Sequence, residues 1–261
     1  MHTDTGPGDP AWGRLINQAA QCGRQLSGPA PGAAARCAGC LGPVRAGCAR
    51  CYQCALHAES APGGLADLVV PVAYAPKGSP HARNLWLYKS GRDGAAAASA
   101  ALTLLLLVFL REHGRCLWQR TGLRGPSHLA VVPSGRGRDG PHPLRSLVAP
   151  YLSVPWAALS ARPGADRSRD LDPGRFTAAR LPGAAVLLLD DTWTTGASAQ
   201  SAAMSLRLGG ARTVIVVVLG RHLAATAVNG PTAAALPVAA LPAGAMALRP
   251  DVCAVHLGAP P

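Results

Sequence analysis

Short apolar runs alternate with longer Ala- and Leu-rich stretches through the middle of the chain. The runs LADLVVPVAY (65–74), SHLAVVP (127–133), AAVLLLDD (184–191) and RTVIVVVLG (212–220) are rich in branched residues and bounded by turn formers. That is the pattern of strands buried on both faces. Residues 94–113, 143–151 and 197–208 lie between them and have helical length and composition. The alternation predicts an α/β fold, a parallel sheet flanked by helices, whose ligands bind beyond the carboxyl ends of the strands. The longest apolar run, AAAASAALTLLLLVFL (95–110), has 16 residues, short of the roughly 20 needed to cross a bilayer. A buried core helix is expected there, and no membrane partner. The first residues carry no basic stretch followed by an apolar one, so a cytoplasmic chain is expected.

Composition adds a basic balance of +12, in which only Lys77 and Lys89 among 25 basic residues are not arginine. A basic surface suits phosphorylated ligands or nucleic acid. The arginines are scattered and aromatics make up 4% of residues, which is poor material for a base-stacking platform. Nucleic acid therefore stays a secondary partner.

Of eight cysteines, five crowd into CAGCLGPVRAGCARCYQC (37–54). A C-x-x-C pair forms a knuckle that aims two thiolates at one point, and two knuckles complete a tetrahedral zinc site. Cys37 and Cys40 form the first. Cys48, Cys51 and Cys54 compete for the second, and Cys51 with Cys54 is preferred, because the ten residues after Cys40 leave room for a turn at Gly42 and Pro43. Cys48 is then spare. A closed site of Cys37, Cys40, Cys51 and Cys54 implies structural Zn²⁺. Cys22 and Cys116 have no partner signal, and the C-terminal Cys253 and His256 read as packing.

The most informative stretch is VLLLDDTWTTGAS (186–198). Val186 to Leu189 read as a strand, which sets Asp190 and Asp191 at its carboxyl end. Thr192, Thr194, Thr195, Gly196, Ala197 and Ser198 lead into a helix whose inner face is Ala199, Ala202, Ala203 and Leu206. Free amides, the positive end of the helix dipole and hydroxyls suit a phosphate. Two carboxylates would repel that phosphate, so they must meet hydroxyls or a cation. A ribose 5-phosphate satisfies both ends.

These residues resemble the phosphoribosyl pyrophosphate (PRPP) signature of type I phosphoribosyltransferases, with Trp193 as a bulky departure that bears on how the loop packs. Together with a cysteine module ahead of it, the stretch from Cys37 to Arg221 resembles the ComF/GntX competence-protein family. The resemblance implies a type I phosphoribosyltransferase-like domain at 65–222 behind a small zinc-ribbon-like module at 36–58. An N-terminal arm at 1–35 and a low-complexity segment at 223–261 complete the chain. It implies PRPP with Mg²⁺ as ligand, and phosphoribosyl transfer or a role in DNA uptake and recombination as function. Lys89, in LWLYKSGRDG, matches the lysine after the family's first transferase helix. Arg136 and Arg138, in LAVVPSGRGRDGPHPL, match its pyrophosphate loop, and 162–176, with Arg167 and Arg169, its mobile basic stretch. Asp190, Asp191 and Lys89 take the catalytic roles. GRGRDG (135–140) also fits a dinucleotide fingerprint, but Pro141 and Pro143 interrupt the following helix and no acid stands about 20 residues on.

Overall fold

A computed structural model describes residues 36–134, 141–164 and 169–223, with Leu26 and Gly28. Chain order begins with helix α1 (Tyr52–Ser60), strand β1 (Leu68–Pro76), helices α2 (Pro80–Leu87) and α3 (Ala95–Gln119), strand β2 (His128–Val131) and helix α4 (Pro143–Val148), which continues as a 3-10 turn (Ala149–Tyr151). Strands β3 (Leu159–Ala161), β4 (Phe176–Ala178) and β5 (Ala185–Trp193), helix α5 (Ala197–Leu208) and strand β6 (Thr213–Leu223) follow. Strands β1, β6, β5 and β2 lie side by side in that order, all parallel. Strands β3 and β4 form a separate antiparallel pair.

Both faces of the sheet are covered, as continuous branched runs require. On one face Leu85, Leu102, Leu106, Phe109 and Leu144 pack against Val70, Leu187, Leu189 and Val217. On the other, Ala199, Ala202, Ala203 and Leu206 of α5 join Cys37, Cys40, Val44 and Cys54 against Val186, Leu188, Val216 and Val218. The small residues of α5 let it sit close to the strands, and the expected inner face of that helix is buried throughout. Among the described residues α3 is the one helix long and apolar enough by composition to cross a membrane. Here it packs on α2 and the sheet through Leu102, Leu106, Phe109 and Leu117.

Two features depart from the sequence expectation, and a third sharpens it. Strand β5 does not end at Leu189: pairing with β6 continues through Asp190↔Val218, Thr192↔Gly220 and Trp193↔Arg221. Pairing with β2 stops at Val131↔Leu189, so both aspartates lie inside a strand that is open on one side. Helix α3 runs past 113 to Gln119, because Gly114 weakens a helix without ending it. Helix α2 enters the expectation only as the helix that the resemblance sets before Lys89, without bounds, although its local signal is present: Pro80 stands at the first position and Ser79 Oγ accepts the Ala82 N–H at 3.2 Å, a serine cap.

Gly220 marks the tightest approach of α2 to the sheet. A Cβ there would enter the Leu85 side chain and lie 3.2 Å from Ala75 Cβ and 3.3 Å from His81 Nε2, whose N–H donates to the Leu219 carbonyl at 3.0 Å. Gly220→Ala is expected to lower stability by about 1–3 kcal/mol through overpacking, read as a lower urea midpoint at unchanged slope. Gly114 gives the control, since a methyl group added there would have nothing within 4 Å. Gly114→Ala should raise stability by about 0.5–1 kcal/mol.

Candidate functional site

The loop after β5 is built around Gly196. Its φ of +86° favours glycine, and a Cβ there would collide with the Trp193 ring. Trp193 is 1% exposed, so the bulky residue that departs from the family pattern packs under the loop. Helix α5 begins at Gly196 with no side-chain cap, although Thr195 Oγ1 accepts the Ala197 N–H at 3.4 Å. Its first turn therefore presents amides and the positive end of the helix dipole, worth roughly half a charge.

The two acids have different surroundings. Asp191 is buried, accepts hydrogen bonds from the Tyr88 hydroxyl and the Lys89 ammonium, and forms an ion pair with Lys89. Burial works to raise its pKa, but Lys89, Tyr88 and His142 overturn that and hold it below the usual carboxylate value. Leu187 and Leu189 face α2 and α3, and Asp191 continues that side; strand alternation turns Asp190 the other way. Asp190 Oδ1 accepts the Asp191 N–H at 2.8 Å. Its carboxyl is pushed up to about 8, by burial first and by the Asp191 charge second, against the opposing pull of Lys89.

Lys89 sits one residue beyond the cap of α2, the place expected for it. Residues the sequence did not single out complete the site. His142 caps α4, its Nδ1 accepting the Leu144 N–H at 3.2 Å, which leaves Nε2 as the protonated nitrogen, 4.0 Å from Asp191 Oδ2. The same histidine lines a cavity of about 840 Å³ at the carboxyl end of β2, with Pro133, Ser134, Arg145, Trp156 and Ser160. Arg175, at the end of the basic stretch, is buried and donates to Ser198 Oγ at 3.3 Å and to the Asp170 carbonyl at 2.9 Å. Adjacency to Lys89 was the one available signal for Tyr88, and membership of the basic stretch 162–176 the one for Arg175. Arg169 is exposed. Arg136, Arg138, Arg167, Cys22, Cys253 and His256 lie outside the described residues.

The thiols of Cys37, Cys40, Cys51 and Cys54 converge, all within 4.8 Å of one another. Cys48 stands outside the cluster and is half-buried. A tetrahedron with Zn–S of about 2.3 Å places sulfurs roughly 3.8 Å apart; the Cys40 and Cys51 sulfurs are 3.9 Å apart. Cys37 Sγ accepts N–H bonds from Gly39 at 3.3 Å and Cys51 at 3.2 Å, as a thiolate in a knuckle does. Crowding drives the thiol acidities apart: Cys37 is held far below the thiol range by hydrogen bonds from Cys40, then Cys51 and Cys54, and Cys54 is pushed far above it, Cys37 having the largest influence. Four such sulfurs can all be anionic only around a cation. The donor set fits structural Zn²⁺.

No family model matches the chain, and no curated protein matches it. Among solved structures it is similar to the allosteric regulatory enzyme of purine biosynthesis, at 19% identity and a TM-score of 0.28 over 43% of this chain and 26% of that one. It is also similar to the purine phosphoribosyltransferase of Pyrococcus horikoshii, at 10% identity and a TM-score of 0.29 over 46% and 86%. A third likeness is to the phosphoribosylpyrophosphate synthetase of Mycobacterium smegmatis, at 20% identity and a TM-score of 0.27 over 54% and 51%. The chain spans about a quarter of the length of the first of these.

Two outcomes follow from the site. Purified protein should carry about one equivalent of zinc; Cys48→Ser should keep it, and Cys51→Ser should fall below about half, by metal analysis. The second concerns pH. A carboxyl raised from 3.8 to about 8 favours the fold fully below the lower value and loses that contribution as pH climbs through the upper one. Asp191, shifted down, contributes above the ordinary carboxylate pKa and loses its contribution in acid. Between pH 5 and 8 the thermal midpoint of wild type should therefore fall relative to Asp190→Asn; a relative rise would contradict the assignment.

Proposed function

We propose that the chain is a phosphoribosyltransferase-like protein of the ComF/GntX type that binds PRPP, or another ribose 5-phosphate ligand, together with Mg²⁺. The observation that carries this reading is a carboxyl that forms no ion pair among the described residues, Asp190, beside the uncapped start of α5 at Gly196. The stretch Thr192–Ser198, from the end of β5 into the first turn of α5, takes the 5-phosphate on backbone amides and the hydroxyls of Thr194, Thr195 and Ser198. Asp190 takes the ribose hydroxyls, whose donors supply what its carboxylate lacks. Asp191 acts beside it by fixing Lys89, and Lys89, a compact point charge, faces the pyrophosphate with Arg136 and Arg138.

Hard cations prefer carboxylate and phosphate oxygens, so Asp190 with the ligand's own oxygens would hold Mg²⁺. When bound, Mg²⁺ neutralises charge on the pyrophosphate. In transfer, the bond from C1 of the ribose to pyrophosphate breaks and a bond from C1 to the nitrogen of a nucleobase or other amine forms. The protein's own contribution is placement of the sugar and stabilisation of the departing charge. Without transfer, the same site serves as a PRPP- or nucleotide-dependent sensor in DNA uptake or recombination.

Calorimetry with PRPP and Mg²⁺ tests the reading. Wild type should bind, and the double variant Asp190→Asn, Asp191→Asn should bind at least about tenfold more weakly, the loss expected for charged hydrogen bonds. Release of pyrophosphate in the presence of purine or pyrimidine bases would assign transfer; binding without release would assign the sensor role. Absence of binding to wild type would overturn the site and favour a zinc-bearing nucleic-acid binder with a vestigial loop.

A further inference from the structure

We infer that Arg221 couples the four-cysteine cluster to the loop after β5, so that the metal module sets the direction of the amides that meet the phosphate; this rests on the reading above. Arg221 lies near the end of β6, paired with Tyr74 on one side and Trp193 on the other. Its Nη1 donates to the carbonyls of Thr194 at 3.0 Å, His222 at 2.6 Å and Trp193 at 3.4 Å. Its other edge faces the cysteines. A single carbon added at Gly42 would lie 3.2 Å from Arg221 Nε and 3.3 Å from Cys40 Sγ, so guanidinium and thiol flank one small gap. Nε is buried and has no hydrogen-bond partner, oxygen or sulfur, among the described residues, so its link to the cysteines is one of charge across a short gap.

Geometry converts this grip into direction. A trans peptide carries its C=O and N–H on opposite sides, and none of the described peptides is cis. Holding the carbonyls of Trp193 and Thr194 toward the cysteines turns the N–H groups of Thr194 and Thr195 away from them. Those two amides precede Gly196 in the loop assigned to the phosphate. The electrostatics point the same way. Zn²⁺ with four thiolates carries a net charge of −2, which a neighbouring guanidinium offsets in a poorly hydrated setting. Without that charge the guanidinium loses its anchor on the cysteine side. A planar guanidinium can hold carbonyls on one edge while its delocalised charge lies against the sulfurs, a geometry that a point-charge ammonium does not reproduce. Arg221 is thus a positioning residue.

The test uses the full chain as wild type, Arg221→Lys and Arg221→Met, and wild type stripped of zinc by a chelator. The readouts are ribose 5-phosphate affinity by calorimetry, the rate of zinc release to a chelator, and the amide NMR signals of Thr194 and Thr195. Arg221→Met should release zinc and lose affinity by at least about tenfold each, the loss of a charge-assisted contact. Arg221→Lys should keep zinc release within about threefold of wild type, since the charge remains. It should still bind weakly, and the ligand-induced shifts at Thr194 and Thr195 should be lost while those of α3 stay unchanged. Zinc-free protein should match Arg221→Met in affinity. Equal affinity in wild type, zinc-free protein and Arg221→Lys would overturn the coupling and leave the ligand assignment standing. Failure of wild type to bind would overturn both. Should Arg221→Met not fold, Arg221→Lys and zinc-free wild type decide alone.

Discussion

A carboxylate withdrawn from water must be met by donors, and Asp191 is the place where this demand organises the molecule. Its side chain is 7% exposed, and an unpaired charge at that depth would cost several kcal/mol. The partners come from two distant segments: Tyr88 and Lys89 after α2, and His142 at the start of α4. Satisfying one residue of β5 therefore draws the segments after α2 and β2 to the carboxyl end of the sheet, where a crevice forms. Asp190, one position away, is left with its own backbone and a rising proton affinity. Adjacent identical residues thus divide the work, one tied to side chains of distant segments and one without an ion pair among the described residues.

Much of this was readable in advance, for identifiable reasons. Branched runs such as VIVVV report burial on both faces of a strand, and all four predicted strands are present. The choice of Cys51 and Cys54 over Cys48 followed from chain length alone, and the thiols meet accordingly. Lys89 stood out as a lysine in an arginine-rich chain, and it reaches the acid pair. What escaped prediction depends on contacts distant in sequence. Nothing near Arg221 announces that its side chain will span from cysteines about 180 residues earlier to a neighbouring loop. The unequal roles of Asp190 and Asp191 need the strand's true end, which pairing with β6 sets and local composition does not. Trp193 suggested disruption by size; only the glycine beneath its ring shows why it fits.

The cysteine segment is not a separate bead on the chain. Cys37, Cys40, Val44 and Cys54 are buried with Val186, Leu188 and Trp193 in one cluster, and the Tyr74 hydroxyl donates to the Leu41 carbonyl at 2.6 Å. A segment this rich in glycine and proline supplies little apolar area of its own. Its sulfurs and Val44 become part of a larger core because the sheet offers the rest.

One consequence belongs to the rim of the sheet. Among the described residues β1 pairs on one side only, with β6, and it carries Pro71 and Pro76. Successive backbone nitrogens of a strand point to opposite sides, and the Lys77 N–H donates to the Leu223 carbonyl of β6, so Pro71 faces β6 and Pro76 removes a donor from the outer row that would otherwise template another strand. A foreign chain laid along β1 would meet a gap in the ladder at Pro76, so this flank is a poorer template for the sheet-to-sheet annealing that seeds aggregation.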